Sequence, residues 1–157
     1  MNFPLAAGLN WKSIDFSILL QGAARSSIYL QQDIAWDNFW GNYYEEHIGR
    51  WTPETVATAT YPRFTKAATA AHPNYYKSDY WLKDSKYLRL KNIQLGYTIP
   101  RKLLKKFGVR SLRVYANAYN LFTWDNVKKV DPESSNNSNG QFYPQQKVIN
   151  FGINLNF

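Results

Sequence analysis

The final stretch of the chain, Ile149-Asn150-Phe151-Gly152-Ile153-Asn154-Leu155-Asn156-Phe157, places a large apolar residue at every odd position and Asn or Gly at every even one. A period of two is the repeat of a β-strand with one apolar and one polar face. The polar face carries no charge, only small neutral groups. A wall between lipid and a polar lumen has this pattern, and so does an amphipathic strand of a soluble β-protein. The alternation also runs through Leu5, Ala7, Leu9 and Trp11, halts at Lys12-Ser13, and resumes through Ile14, Phe16, Ile18 and Leu20, which predicts a hairpin with a tight turn. A third run covers 85–98, with Ile93, Leu95 and Tyr97 on one face. Leu88 and Leu90 have the opposite parity, so a bulge is predicted near Lys91-Asn92, unless the strand leaves the bilayer there. In a fourth run Leu112, Val114, Ala116 and Ala118 alternate with Arg113, Tyr115, Asn117 and Tyr119. Strands are thus expected near 5–12, 14–23, 85–98, 109–124 and 147–157.

The connections are as informative as the strands. Residues 24–78 show no period of two, and most loops in a compact domain are only ~4–6 residues long. Within this segment Trp36, Phe39, Trp40 and Tyr43 have helical spacing, predicting a short helix inside Asp33–Gly49 with Gly49 as its stop. Arg101 to Gly108 predicts one amphipathic helical turn, with Leu103, Leu104 and Phe107 on one side. Asp125 to Pro144 is a polar loop tipped by Ser, Asn and Gly. Tight and long connections alternate, as in an up-and-down barrel with short periplasmic turns and long outer loops. Five strands cannot close such a barrel, which needs roughly eight or more. An open sheet would expose unpaired backbone to hydrocarbon at several kcal/mol per group. The predicted fold is all-β: an antiparallel up-and-down transmembrane β-barrel segment, about five C-terminal strands of a larger barrel, with a long, partly helical extracellular loop.

Aromatic residues make up 17% of the chain, and Tyr and Trp collect where a ring has one apolar and one wet end, as in membrane girdles and sugar-binding surfaces. A soluble, aromatic-rich carbohydrate-binding β-sandwich is therefore the alternative. The formal charge is +8, with Arg101, Lys102, Lys105, Lys106, Arg110 and Arg113 clustered. This cluster fills one short connection and has no recognised nucleic-acid motif beside it, so no nucleic-acid partner is expected. With no Cys there is neither a disulfide framework nor a thiolate metal site. No apolar run approaches the ~20 residues of a membrane helix. No signal peptide opens the chain, so either the protein is cytoplasmic or Met1 is not the true start of the functional polypeptide. His47 and His72 lack ligand spacing, adjacent Glu45 and Glu46 would diverge on a helix, and no nucleophile elbow, phosphate loop or dinucleotide fingerprint occurs. No enzyme activity, cofactor or metal is expected; Asp125, Asp131 and Glu133 read as a solvated loop rather than a calcium site.

Leu88-Arg89-Leu90-Lys91-Asn92-Ile93, Asn120-Leu121-Phe122-Thr123, Asp131-Pro132-Glu133 and Tyr61-Pro62-Arg63 resemble, as a set, segments of SusC/RagA-type TonB-linked outer-membrane proteins. Tyr87-Leu88-Arg89-Leu90-Lys91-Asn92-Ile93-Gln94-Leu95-Gly96-Tyr97-Thr98-Ile99-Pro100 is similar to that family's "LRLKNIxLGYTLP" stretch. Asn120-Leu121-Phe122-Thr123 matches the signature of its next strand, and Asp131-Pro132-Glu133 its "DPE" loop. Arg50-Trp51-Thr52-Pro53 and Tyr61-Pro62-Arg63 match its "RWTPxN…YPR" loop. The matches cover nearly the whole chain, in the family's order. The resemblance implies a transporter of roughly 22 strands that imports glycans or peptides. In that family a plug fills the barrel, a TonB complex drives uptake, and a SusD-like surface lipoprotein lids the outer face. The plug and N-terminal domains are absent from this sequence, so TonB would act through the missing N-terminal part.

Two groups of residues are candidates for function. Ile149, Phe151, Ile153, Leu155 and Phe157 resemble the terminal signal read by the barrel-assembly machinery, which could add this strand to its own edge. Trp36, Trp40, Tyr43 and Tyr44 are candidates for contact with substrate or lipoprotein, because aromatics dominate interface hot spots; helical spacing also fits packing within the loop. The basic turn at Arg101–Lys106 is expected in the periplasm, at outer-membrane lipid head groups.

Overall fold

In a computed structural model, the structure describes residues 1–32, 35–37, 43–64, 74, 76–128, 130–134, 143 and 145–157. The chain divides into two compact units: 1–26 with 85–126 and 144–157, and 27–84 with 127–143.

The first unit is one antiparallel sheet of five strands: β1 (Asn2–Trp11), β2 (Ile14–Ala23), β5 (Tyr87–Thr98), β6 (Ser111–Asp125) and β7 (Val148–Asn156). Their order in the sheet follows their order in the chain. Trp11 pairs with Ile14 across a two-residue loop. Lys12 takes φ 54° there, the left-handed backbone that the tight hairpin turns require at their first loop position.

Register sorts the side chains cleanly. Leu9, Phe16, Leu95, Ala116 and Phe151 form one cross-strand row, and Ala7, Ile18, Ile93, Ala118 and Ile149 the next on the same face. Gly8, Ser17, Gln94, Asn117 and Asn150 form a row on the opposite face. The parity break at Lys91 is a bulge. Leu19 pairs with Asn92 but Leu20 with Leu90, so Lys91 is the extra residue of the bulge. The extra residue returns Leu88 and Leu90 to the apolar face of Ile93, Leu95 and Tyr97. On β6 the irregularity falls at Asn120, with φ 51°, a conformation Asn tolerates better than most residues. Its side-chain amide donates to the Gln146 carbonyl at 3.1 Å.

On the apolar face Leu5, Leu9, Phe151 and Ile153 are exposed among the described residues, Phe151 to 82%. A soluble sandwich would bury that face against another sheet. Aromatics bound it instead, with Trp11, Tyr97 and Phe157 toward the tight-turn end and stacked Phe122 and Trp124 at the other. About ten residues of β6 separate the Tyr97–Val114 row from Trp124, or ~26 Å at ~3.4 Å per residue and a tilt of ~40°. That matches the apolar band of a membrane barrel, ~25 Å tall.

The β5–β6 turn begins with helix α1 (Arg101–Leu104), continues as a 3₁₀ turn at Lys105–Phe107, and stops at Gly108 with φ 69°. Leu104 is buried, whereas Leu103 and Phe107 are exposed. The three expected on one side are thus split, the segment changing from α-helix to a 3₁₀ turn after Leu104, which shifts Phe107 out of line with it.

The second unit contains the two-stranded pair β3 (Ser27–Tyr29) and β4 (Leu82–Asp84). Its core joins Ile28, Leu30, Ala35, Trp36, Tyr61, Trp81 and Val127. The expected helix inside Asp33–Gly49 is not continuous. Tyr44 is extended, at φ −115° and ψ 161°, and Glu45–Gly49 is a 3₁₀ turn. Phe39 and Trp40 lie outside the described residues.

Candidate functional site

The polar face of the sheet carries one built cluster. Asn10, Asp15, Gly96, Tyr115 and Gly152 form a cross-strand row through all five strands. Arg113, two residues before Tyr115 on β6, reaches across β5 to Asp15 on β2. Its Nε–H donates to Asp15 Oδ1 at 2.9 Å, and Nη2 pairs with Oδ2, making the contact bidentate. Gly96 makes the crossing possible, since a Cβ there would run into both the guanidinium and the carboxylate. The Arg113 guanidinium also lies 4.9 Å from the Tyr115 ring centroid. Tyr115 in turn lies over Gly152, where a Cβ would strike the phenol ring. Farther along the face, Arg89 is 2% exposed, and its Nε–H donates to Thr123 Oγ1 at 2.9 Å. Such a face can hold polar solutes or another polar surface through amides, the Asp15–Arg113 ion pair and the phenols of Tyr115 and Tyr119.

A specific cost follows at Gly152. Gly152→Leu is expected to destabilise the folded barrel by about 1–3 kcal/mol, the usual range for overpacking, because the Tyr115 ring must leave its seat. Tyr115→Ala should relieve most of that penalty. Urea unfolding midpoints of the lipid-reconstituted protein, for the two single variants and the double, measure the coupling.

The second unit is organised around His47 and Tyr61. His47 is buried, and its Nδ1 accepts the Tyr44 N–H at 3.1 Å. The neutral ring therefore carries its proton on Nε2, which faces the Ala35 carbonyl at 3.5 Å. The Tyr61 hydroxyl donates to the same carbonyl at 2.7 Å. Phe64 meets the His47 ring edge-on at 5.6 Å, and Tyr61 lies 4.6 Å from it. The Arg50-Trp51-Thr52-Pro53 and Tyr61-Pro62-Arg63 segments are clamped together: Arg50 bridges Tyr61, and the Trp51 N–H donates to the Tyr61 carbonyl at 2.9 Å. Asp131 Oδ1 accepts the Glu133 N–H at 2.9 Å, so Asp131-Pro132-Glu133 is a self-capped turn. The Tyr80 hydroxyl is held above its ordinary pKa, first by burial and then by the charge of Glu46.

The candidate aromatics separate on this frame. Trp36 is 8% exposed and belongs to the core, so it packs rather than presents a surface. Tyr43 and Tyr44 are exposed and flank His47, with ring centroids 6.0 and 5.6 Å from it. Trp40 lies outside the described residues. The structure adds Trp51, Tyr76 and Tyr80 as exposed aromatics of this unit. Ile149, Phe151, Ile153 and Leu155 project from β7 onto the apolar face, and Phe157 follows it, exposed. Among the described residues β7 pairs only with β6, so its other edge carries free backbone groups.

Periodicity missed the Asp15–Arg113–Tyr115 cluster. The pair is 98 residues apart, and only register brings it together. The available signal was glycine inside two strands, at Gly96 and Gly152, which marks close approach.

No family model matches the chain. Among curated proteins it is 30% identical to TonB-dependent receptor P26 of Formosa agariphila over 95% of the chain, and 25% identical to TonB-dependent receptor SusC of Bacteroides thetaiotaomicron over 98%. These alignments take in 16% and 15% of the two relatives, so the chain spans about one sixth of their length. A solved structure of the RagAB peptide importer in its open-open state matches 99% of the chain and 17% of its own chain, with TM-score 0.74 at 22% identity. The closed-closed state matches with TM-score 0.72, over 98% of the chain and 17% of its own. By sequence and fold together, the chain matches one barrel segment of SusC/RagA-type TonB-dependent receptors.

Proposed function

We propose that this chain forms part of the wall and outer loops of an outer-membrane transporter that imports glycans or peptides with TonB-derived energy, in concert with a SusD-like lipoprotein. The observation that carries the reading is the two-faced sheet: a bare apolar side between aromatic rows, and a polar side of amides, glycine and one ion pair. A transmembrane barrel uses both sides, and a soluble domain uses only one. The tight Lys12-Ser13 turn and the compact β5–β6 turn lie at the periplasmic end, because outer-membrane barrels keep short turns there. The second unit, formed by the β2–β5 and β6–β7 connections, is then extracellular, and Tyr43, Tyr44 and Trp40 are its candidates for meeting substrate or lipoprotein.

The test is the complete receptor carrying this segment. It should fractionate with the outer membrane as a heat-modifiable barrel and co-purify with a surface lipoprotein. Its deletion should abolish growth on either a glycan or an oligopeptide source, naming the substrate class. Recovery in the soluble fraction would reject the reading.

The last strand gives a separate prediction. The assembly machinery reads Ile149, Phe151, Ile153, Leu155 and Phe157, with the aromatic as anchor on an added strand. Removing Phe157 from the complete receptor is expected to lower the folded outer-membrane pool severalfold, with the total chain synthesised unchanged. Heat-modifiability on gels measures the folded fraction, and an undiminished folded pool would assign Phe157 to the lipid face alone.

A further inference from the structure

The apolar face is not evenly packed. Near the periplasmic end Ala116 sits in its cross-strand row between two much larger side chains, Leu95 on β5 and Phe151 on β7. The next row toward the turn is Tyr97, Val114 and Ile153. The small methyl of Ala116 leaves an open groove of about 700 Å³ among these six side chains, reaching the backbone at Gly96, Tyr115 and Gly152. On a face turned to hydrocarbon, an apolar chain fills such a groove, since an unfilled one forfeits dispersion contacts.

Charge beside the groove selects the occupant. β5 ends at Thr98 and β6 begins at Ser111. Between them, Pro100 to Arg110 holds Arg101, Lys102, Lys105, Lys106 and Arg110, all exposed, and no Asp or Glu. In the same turn Leu103 and Phe107 are exposed to 65% and 76%. Exposed apolar side chains set among lysines and arginines suit a segment lying in the interface of an anionic membrane. Ala116 is five residues in from Ser111, ~17 Å along the strand at ~3.4 Å per residue, which an acyl chain spans from a head group at the turn.

We infer that this end of the sheet is a binding site for an anionic glycerophospholipid, with its phosphate on the Arg101–Arg110 turn and one acyl chain in the groove over Ala116. The inference rests on the membrane reading above. It goes beyond general lipid contact by naming a head-group charge and a seat for one chain. A free phosphate would use the turn alone, and a neutral lipid the groove alone.

The test is native mass spectrometry of the complete receptor, extracted from outer membranes and titrated with palmitoyl-oleoyl phosphatidylglycerol or with the phosphatidylcholine of the same chains. The unmodified receptor should retain phosphatidylglycerol about tenfold more tightly, a difference expected of a few desolvated charge contacts. The triple variant Lys102→Gln, Lys105→Gln, Lys106→Gln should erase the preference. Ala116→Phe should weaken both lipids at unchanged folded yield, and inorganic phosphate should not displace the lipid. Equal retention of the two lipids by the unmodified receptor overturns the site, as does a preference that survives the triple variant or binding that Ala116→Phe leaves intact. Outer-membrane fractionation of the same preparations reports separately on the transporter reading: a receptor that resides there yet shows no preference refutes only the lipid site.

Discussion

Replacing Ile93 by lysine in the complete receptor is expected to cost about 2–4 kcal/mol of barrel stability, whereas Gln94→Lys, one residue on, should change it by less than about 0.5 kcal/mol. Ile93 pairs with Ile18 and Ala118 in a row near the middle of the apolar band, where an ammonium group has no water and no counter-charge. Gln94 lies on the opposite face, pairs with Ser17 and Asn117, and sits one row from the Asp15–Arg113 pair, so a lysine there stays among polar groups. The two substitutions are chemically alike and adjacent in sequence, so only the sidedness of the strand separates them. Denaturant unfolding in lipid vesicles, followed by tryptophan fluorescence, measures the difference. Similar costs at both positions would mean that the two faces meet the same medium, and the membrane-wall reading would fail.

Much of this sidedness is legible in the sequence, because a strand with different media on its two sides must alternate. The parity switch between Leu90 and Ile93 announces either a bulge or an exit from the bilayer, and the register decides for the bulge. Other features depend on chain segments that periodicity does not connect. The β3 and β4 strands are only three residues each, too short to display a repeat. The helical spacing of Trp36, Phe39, Trp40 and Tyr43 suggests a helix through Tyr43, yet Tyr44 is extended and donates its N–H to the His47 ring, a local side-chain bond that competes with helix continuation. The Asp15–Arg113 pair needs the register of three strands, and Gly96, which admits it, signals close approach without naming the partners. The motif segments become physically intelligible only in the fold: Asn120 takes the left-handed backbone at the β6 irregularity, and Asp131 caps its own turn.

Trp81→Ala is expected to remove about 3–5 kcal/mol from the second unit, the range for deleting a buried aromatic, and to leave the membrane sheet folded. Trp81 is 4% exposed at the centre of that unit's core. Its ring meets Tyr61 and Tyr80 edge-on, with centroids 5.9 and 4.7 Å away. Its indole N–H donates to the Asn74 carbonyl at 2.8 Å, and its backbone carbonyl accepts the Leu30 N–H at 2.9 Å. Alanine keeps the backbone bond but deletes the indole donor and both ring contacts, leaving the Asn74 carbonyl without that partner. The core has few other large members, Trp36 and Tyr61 foremost, so little is available to collapse into the space. Limited proteolysis of the receptor in outer-membrane vesicles reads the outcome. Cleavage within residues 27–84 should accelerate by at least an order of magnitude, while the heat-modifiable barrel persists. If Tyr43 and Tyr44 meet the lipoprotein, its co-purification should fall in parallel, because both flank His47, which packs on the same Tyr61 that supports Trp81. Accelerated cleavage with undiminished co-purification would place the lipoprotein contact elsewhere on the receptor.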